Sequence, residues 1–196
     1  VVNIAVFASG SGTNFEEIIK HVEDGSLNCS IQVLICDKEA AYALQRAKNH
    51  NIPAYYFNPK AYENKAAYEE AILYVLKDLN VDLIVLSGYM RFIGQTLLQA
   101  YPQRIINIHP AYLPEFPGAH GILDAYNAKV SQTGVTVHYV DEGVDTGPVI
   151  AQERVAIDPA WSLEELECAV HAKEYDLFWR VIAKVCDIVE KENATL

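Results

Sequence analysis

Apolar residues in the first half of the chain come in short, nearly unbroken runs. NIAVFAS (3–9), IQVLICD (31–37), IPAYYFN (52–58), VDLIVLSGY (81–89) and RIINIHP (104–110) are rich in β-branched and aliphatic side chains, as strands covered on both faces must be. Between them, 14–24, 39–50 and 61–79 place apolar side chains three and four apart. In the last, Tyr68, Ile72, Val75 and Leu79 recur at helical spacing. Strands alternating with helices predict an α/β fold with a right-handed, mostly parallel sheet.

The pattern changes after Pro110. AYLPEFPGAHG (111–121) holds two prolines and two glycines and predicts a loop. GVTVHYV (134–140) alternates as a strand does, DEGVDTGP (141–148) reads as a polar turn, and VIAQERVAI (149–157) resumes a strand. Residues 162–190 close with a long helical pattern, opened by Ser162 with Glu165 three residues on, the signature of a capping box. With no repeat, low-complexity run or linker, residues 1–196 are expected to form one domain.

A chain of 196 residues is long enough for one substantial core. The excess of 26 Asp and Glu over 15 Lys and Arg, a formal charge of −11, repels nucleic acid and anionic membrane, so no partner of either kind is expected. Cys29, Cys36, Cys168 and Cys186 lack C-x-x-C or any regular spacing. They are expected to be reduced, mostly buried thiols of a cytoplasmic protein that bind no metal. The apolar start VVNIAVFA is short for a signal peptide and has no basic leader, and no run is long enough to span a bilayer.

The first run leads into Gly10-Ser11-Gly12-Thr13-Asn14 and then a helical pattern. Strand, glycine turn and helix N-terminus make an anion site, because unpaired N–H groups and the positive end of the helix dipole converge there. Phe15 stands where a G-x-G-x-x-G fingerprint has its third glycine, and no Gly-Lys-Ser/Thr follows as in a triphosphate loop. The bland alternative is a turn in which Thr13 or Asn14 caps the helix. Asp37, ending the second run, keeps a nucleotide ribose in play.

Ligands of open α/β sheets sit at the carboxyl ends of strands. There INIHP places Asn107 and His109 two apart, on one face of a strand that Pro110 ends. An amide donor beside an imidazole suits attack on a carbonyl: the amide meets the oxygen as charge develops, and the imidazole donates a proton. Asp145 is the candidate third partner, since a carboxylate near an imidazole favours its charged form and fixes its orientation. The alternatives are a structural Asn–His pair and a solvated acidic turn of Asp141, Glu142 and Asp145. His21, His50 and His138 read as structural.

Taken together, GSGTN (10–14), SGYMRFI (87–93), NIHPAYLPEFPGAHG (107–121), VTVHYVDEGVDTGPVIAQ (135–152) and HAKEY (171–175) resemble the folate-dependent phosphoribosylglycinamide formyltransferases along nearly the whole chain. The resemblance implies a Rossmann-like fold, a mostly parallel twisted sheet with helices on both faces. It divides the domain into a phosphate-binding half, about 1–100, and a catalytic and folate-binding half, about 101–196. The implied reaction moves a formyl group from 10-formyltetrahydrofolate, a co-substrate, to the amine of glycinamide ribonucleotide. By position, Asn107, His109 and Asp145 match the catalytic trio. Gly12, Thr13 and Asn14, with His171, Ala172, Lys173 and Glu174, match ribonucleotide-binding positions. Lys65, Met90, Arg91, Phe92 and Ile93, together with Asn107 and with Asp141, Glu142, Gly143, Val144 and Asp145, match folate-binding ones. The family's HPSLLP is HPAYLP here, Ile122 replaces a commonly polar residue, and Lys65 replaces an arginine, a point charge for a planar fork.

The expected mechanism is direct attack of the neutral amine on the formyl carbon, without metal or covalent intermediate. Asn107 and charged His109 would stabilise the oxyanion, Asp145 would relay the amine proton, and Met90, Phe92 and Ile93 would wall the pterin. Methionyl-tRNA formyltransferases share the N-x-H-P chemistry but add a C-terminal domain and a basic RNA surface. Formyltetrahydrofolate deformylases usually carry a regulatory domain in front. A non-enzymatic nucleotide-binding module would rest on the glycine turn and Asp37 alone.

Overall fold

The computed structural model describes residues 1–196, which fold around one seven-stranded sheet of order β3-β2-β1-β4-β5-β6-β7. The strands are β1 (Val2–Ala8), β2 (Cys29–Cys36), β3 (Ala54–Tyr56), β4 (Leu83–Leu86), β5 (Ile105–His109), β6 (Gln132–Tyr139) and β7 (Val149–Ala156). β3 through β5 pair in parallel, and β6 and β7 add antiparallel. The helices are α1 (Thr13–Glu23), α2 (Tyr42–Asn49), α3 (Lys65–Asp78), α4 (Gln95–Ala100), α5 (Gly121–Asn127) and α6 (Leu163–Ala194).

Alternation along β1 shows why its run had to be continuous. Ile4, Val6 and Ala8 face one core layer, with Phe15, Ile18 and Ile19 of α1 and Leu177, Phe178 and Ile182 of α6. Ala5 and Phe7 face the other, with Tyr68, Ile72 and Leu76 of α3 and Leu97 of α4. Side chains of a strand alternate in direction, so a strand sandwiched by helices is apolar at every position. The two layers realise the expected sheet with helices on both faces.

Local signals set most boundaries. α6 carries the predicted capping box: Ser162 Oγ accepts from Glu165 N at 3.2 Å, and the Glu165 side chain reaches back. The stripe read over 61–79 begins later, because the Asn64 side chain accepts from Ala67 N at 2.8 Å and starts α3 at Lys65, after a 3₁₀ turn at Pro59–Ala61. α4 and α5 go beyond the sequence pattern, being only six and seven residues long. α4 is capped from a distance by Glu69, whose buried carboxylate accepts from Gly94 N at 2.7 Å and Leu97 N at 3.3 Å. All four cysteines are free; Cys29, Cys36 and Cys186 are buried and Cys168 is exposed.

The sheet has two edges of different kinds. β3 is only three residues long. β7 is longer but bears charge: Glu153 pairs with Lys173 and Arg180, and Arg154 pairs with Glu115 while lying over the Tyr112 ring.

Phe178 lies where α6 meets the sheet and is 1% exposed, so Phe178→Ala is expected to cost about 3–5 kcal/mol. Ser162→Ala, which removes only the cap, is expected to cost about 1 kcal/mol. Urea denaturation checks the ranking; equal losses would contradict the assignment of α6's stability to packing rather than to its first turn.

Candidate active site

The antiparallel pairing of β5 with β6 sets Asn107 opposite His138 and His109 opposite Thr136. Residues directly opposite in a sheet share a face, so these four side chains stand together at the end of β5. His138 is read from the sequence as structural; the register instead makes it a neighbour of Asn107. Its Nδ1 donates to the Tyr139 carbonyl at 2.9 Å, which leaves Nε2 as the acceptor for the Asn107 amide at 3.3 Å. Burial pushes the His138 pKa below the ordinary histidine value, outweighing the raising effects of the Tyr139 bond and of Asp145. With the ring neutral, the 3.7 Å approach of its Nε2 to Asp145 Oδ1 is not an ion pair. The amide of Asn107 is therefore fixed with its NH₂ toward His138, and one N–H remains for another acceptor.

His109 is buried, and both its nitrogens face oxygen. Nε2 donates to the Phe116 carbonyl at 2.9 Å, and Nδ1 lies 3.6 Å from Asp145 Oδ2. A ring between two acceptors is suited to carry a proton on each nitrogen. Asp145 adopts φ 54°, a left-handed conformation that Asp tolerates better than most side chains, and its Oδ2 accepts from Gly118 N at 2.8 Å. The segment 111–118 thus closes over the imidazole as a packed loop. Thr136 Oγ1 donates to the Ala111 carbonyl and accepts from Leu113 N, and Gln152 donates to the Leu113 carbonyl.

A cavity of about 420 Å³ opens beside these groups. Gly12, Thr13 and Asn14 line one end with His171 and Glu174. The buried Glu174 carboxylate accepts from Asn14 Nδ2 at 2.9 Å and holds His171 Nδ1 at 2.7 Å, which raises the His171 pKa. Neither Thr13 nor Asn14 caps α1. The cap position is Gly12 itself, at φ 73°. A Cβ on Gly12 would lie 2.8 Å from Ala43 Cβ, so a side chain there strikes α2 rather than filling the cavity.

The other end is formed by 87–93 and by the turn 141–145. Met90, Arg91, Phe92 and Ile93 line it, Met90 N donating to Ser9 Oγ at 2.8 Å. Met90 and Phe92 are 66% and 67% exposed, so they form an apolar rim rather than an enclosed wall, and Ile93 beneath them is buried. Asp141, Glu142, Gly143, Val144 and Asp145 line the facing side, where Asp141 accepts from Thr146 Oγ1 and Gly143 N. Those bonds, led by Thr146, hold the Asp141 pKa below the usual value.

Lys65, Ala172 and Lys173 do not line the cavity. Lys65 opens α3 with its chain against Gly94, and Lys173 is turned to Glu153 of β7 at 3.3 Å. On a helix, positions one and two beyond His171 point elsewhere, while Glu174, three on, returns to its face. Asp37 is buried at the end of β2 and also stands outside the cavity, which removes it as a ribose ligand here.

An amide and an imidazole aimed into one cavity, flanked by a loop of free N–H groups and an apolar rim, make a site for transfer to or from a carbonyl group. In agreement, the formyl transferase family matches residues 2–182, and the chain belongs to that family. Its similarity is to phosphoribosylglycinamide formyltransferases: that of Bacillus subtilis is 49% identical over 181 residues, covering 92% of this chain and 93% of the relative. The crystal structure of the Bacillus halodurans enzyme of that name superposes with a TM-score of 0.91 at 49% identity over 93% of this chain and 94% of that one. That of glycinamide ribonucleotide transformylase 1 from Geobacillus kaustophilus gives 0.92 at 51%, over 94% and 98%.

Of the three histidines lining the cavity, two are expected to titrate on opposite sides of the ordinary value of about 6.5 in an NMR pH titration, His138 below and His171 above. For His171 the raised folded pKa gives stability that is complete below about pH 6.5 and lost as pH rises through the folded value. His171→Ala is therefore expected to destabilise more at pH 6 than at pH 9. For His138 the sign reverses: its cost appears as pH falls below about 6.5. A His138 midpoint above the ordinary value would overturn its role as an acceptor for Asn107.

Proposed function

We propose that this chain transfers the formyl group of 10-formyltetrahydrofolate to the amine of glycinamide ribonucleotide, giving the formylated ribonucleotide and tetrahydrofolate in purine biosynthesis. The carrying observation is the joint placement of Asn107, His109 and Asp145 between the turn 10–14 and the rim of Met90, Phe92 and Val144 around one cavity. Relatives named for this reaction share about half of the sequence over more than nine-tenths of its length.

In this reading the ribonucleotide phosphate lies on the N–H groups of residues 10–14 and the pterin lies against the 87–93 side. Binding both in one cavity holds the amine against the formyl carbon, replacing a bimolecular encounter with an oriented one. As the neutral amine attacks, negative charge collects on the formyl oxygen. The free N–H of Asn107 and the Nδ1–H of His109 meet it there, while Asp145 stabilises the positive ring. The amine gives up a proton through Asp145, by way of water, and the folate nitrogen leaves carrying one.

Asp145→Asn is expected to preserve the fold, because Asn also tolerates left-handed backbone, and to lower kcat by roughly 10²-fold or more. Steady-state assay checks this, and near wild-type kcat would remove Asp145 from the mechanism. Folate absorbance followed with and without glycinamide ribonucleotide tests the reaction itself. Turnover is expected only with the amine, and rapid turnover without it would identify a deformylase.

A further inference from the structure

The turn 10–14 offers its N–H groups to the cavity because its carbonyls are held behind it. The Gly10 carbonyl accepts from Ala43 N at 3.1 Å, the Ser11 carbonyl from Arg46 Nε at 2.7 Å and the Gly12 carbonyl from Glu16 N at 2.9 Å. A trans peptide is planar with its C=O and N–H pointing oppositely. Holding the Gly10 and Ser11 oxygens toward α2 therefore turns the Ser11 and Gly12 N–H groups away from it, toward the cavity these residues line. Two of the three anchors are backbone; the Ser11 anchor alone is a side chain.

We propose that Arg46 is the positioning residue of this turn: it fixes the Ser11–Gly12 peptide so that the Gly12 N–H meets the substrate phosphate, and does not itself touch substrate. The proposal rests on the reading of residues 10–14 as the phosphate site. Arg46 is in turn fixed. Its Nη1 pairs with Glu16 Oε1 at 3.2 Å, its guanidinium lies 4.8 Å from the Tyr42 ring centre, and its Cδ packs 3.3 Å from where a Gly12 Cβ would be. The side chain is only 21% exposed. One planar group bonds the Ser11 oxygen and Glu16 together, a fork that a lysine ammonium cannot reproduce.

The same pairing also settles a conflict of charge. Glu16 lies in the first turn of α1, where its carboxylate would repel a bound phosphate. Both its oxygens are occupied on the outer side, Oε1 by Arg46 and Oε2 by His50 Nε2 at 2.7 Å; His50 also meets Glu23 at 3.2 Å. Arg46 thus anchors the turn and neutralises the acid in the first turn of α1.

The test compares wild type, Arg46→Ala and Arg46→Lys with glycinamide ribonucleotide, its dephosphorylated riboside, ribose 5-phosphate as a competitive probe and a folate analogue. Arg46→Ala is expected to raise KM for the ribonucleotide and the inhibition constant of ribose 5-phosphate together, by roughly tenfold or more. Folate affinity, kcat and the riboside's kcat/KM are expected to stay within about threefold, the margin a merely positional change leaves the chemistry. Arg46→Lys should lie between, and it carries the test should the alanine variant not fold. An unchanged ribonucleotide KM in either folded variant, or an equal penalty on riboside and ribonucleotide, would overturn the proposal. Wild type that binds no ribose 5-phosphate and treats riboside and ribonucleotide alike would instead overturn the phosphate reading, and this proposal with it.

Discussion

The site depends on the register between β5 and β6. These strands run antiparallel, although every pair before them is parallel, and the change of direction runs the second half of β6, Thr136 to Tyr139, back alongside β5 from His109 to Ile106. A slip of one residue would put Asn107 opposite an apolar side chain and turn every β6 side chain to the other face. What resists the slip is burial: Val135 and Val137 are fully enclosed on one side, and Thr136 and His138 are buried on the other. The core that stabilises the sheet is therefore the same constraint that aligns the amide with its neighbouring imidazole.

Two histidines a strand apart are held in different roles by their hydrogen bonds. His138 gives its only proton to the Tyr139 carbonyl and is left as an acceptor. His109 gives one proton to Phe116 and turns its other nitrogen to a carboxylate. Identical side chains thus serve as the acceptor for an amide in one case and stand between a carbonyl and a carboxylate in the other. The loop closing over His109 meets His109, Asp145 and Thr136 through its backbone, so at those contacts its shape matters more than its side chains.

Much of this was legible in the chain. Continuous apolar runs announced a covered sheet, Ser162 and Glu165 announced α6, and the two-residue spacing of Asn107 and His109 announced a shared face. The unread parts share one cause: each depends on a partner distant in sequence. α4 is capped by Glu69 from α3, which no local pattern shows. The part played by His138 follows from strand pairing, although its alternation within GVTVHYV, with Thr136, was the available signal. Lys173 looked like its neighbours His171 and Glu174 until the helix turned it toward β7. Gly12 matches a ribonucleotide-binding position, yet what its missing Cβ makes room for is α2.

The two ends of the sheet bear on the chain before it is folded. Strands that are adjacent in space but far apart in sequence, such as β1 and β4, must find each other late, and partly paired sheets offer open backbone to other molecules. The outermost strands decide how dangerous that interval is. β3 is too short to template a neighbour, and β7 meets the solvent with Glu153 and Arg154, whose charges a second chain would have to desolvate. The ion pairs that fasten α6 and the 111–118 loop to β7 thus double as protection against aggregation, guarding a protein whose most apolar strands lie at its centre.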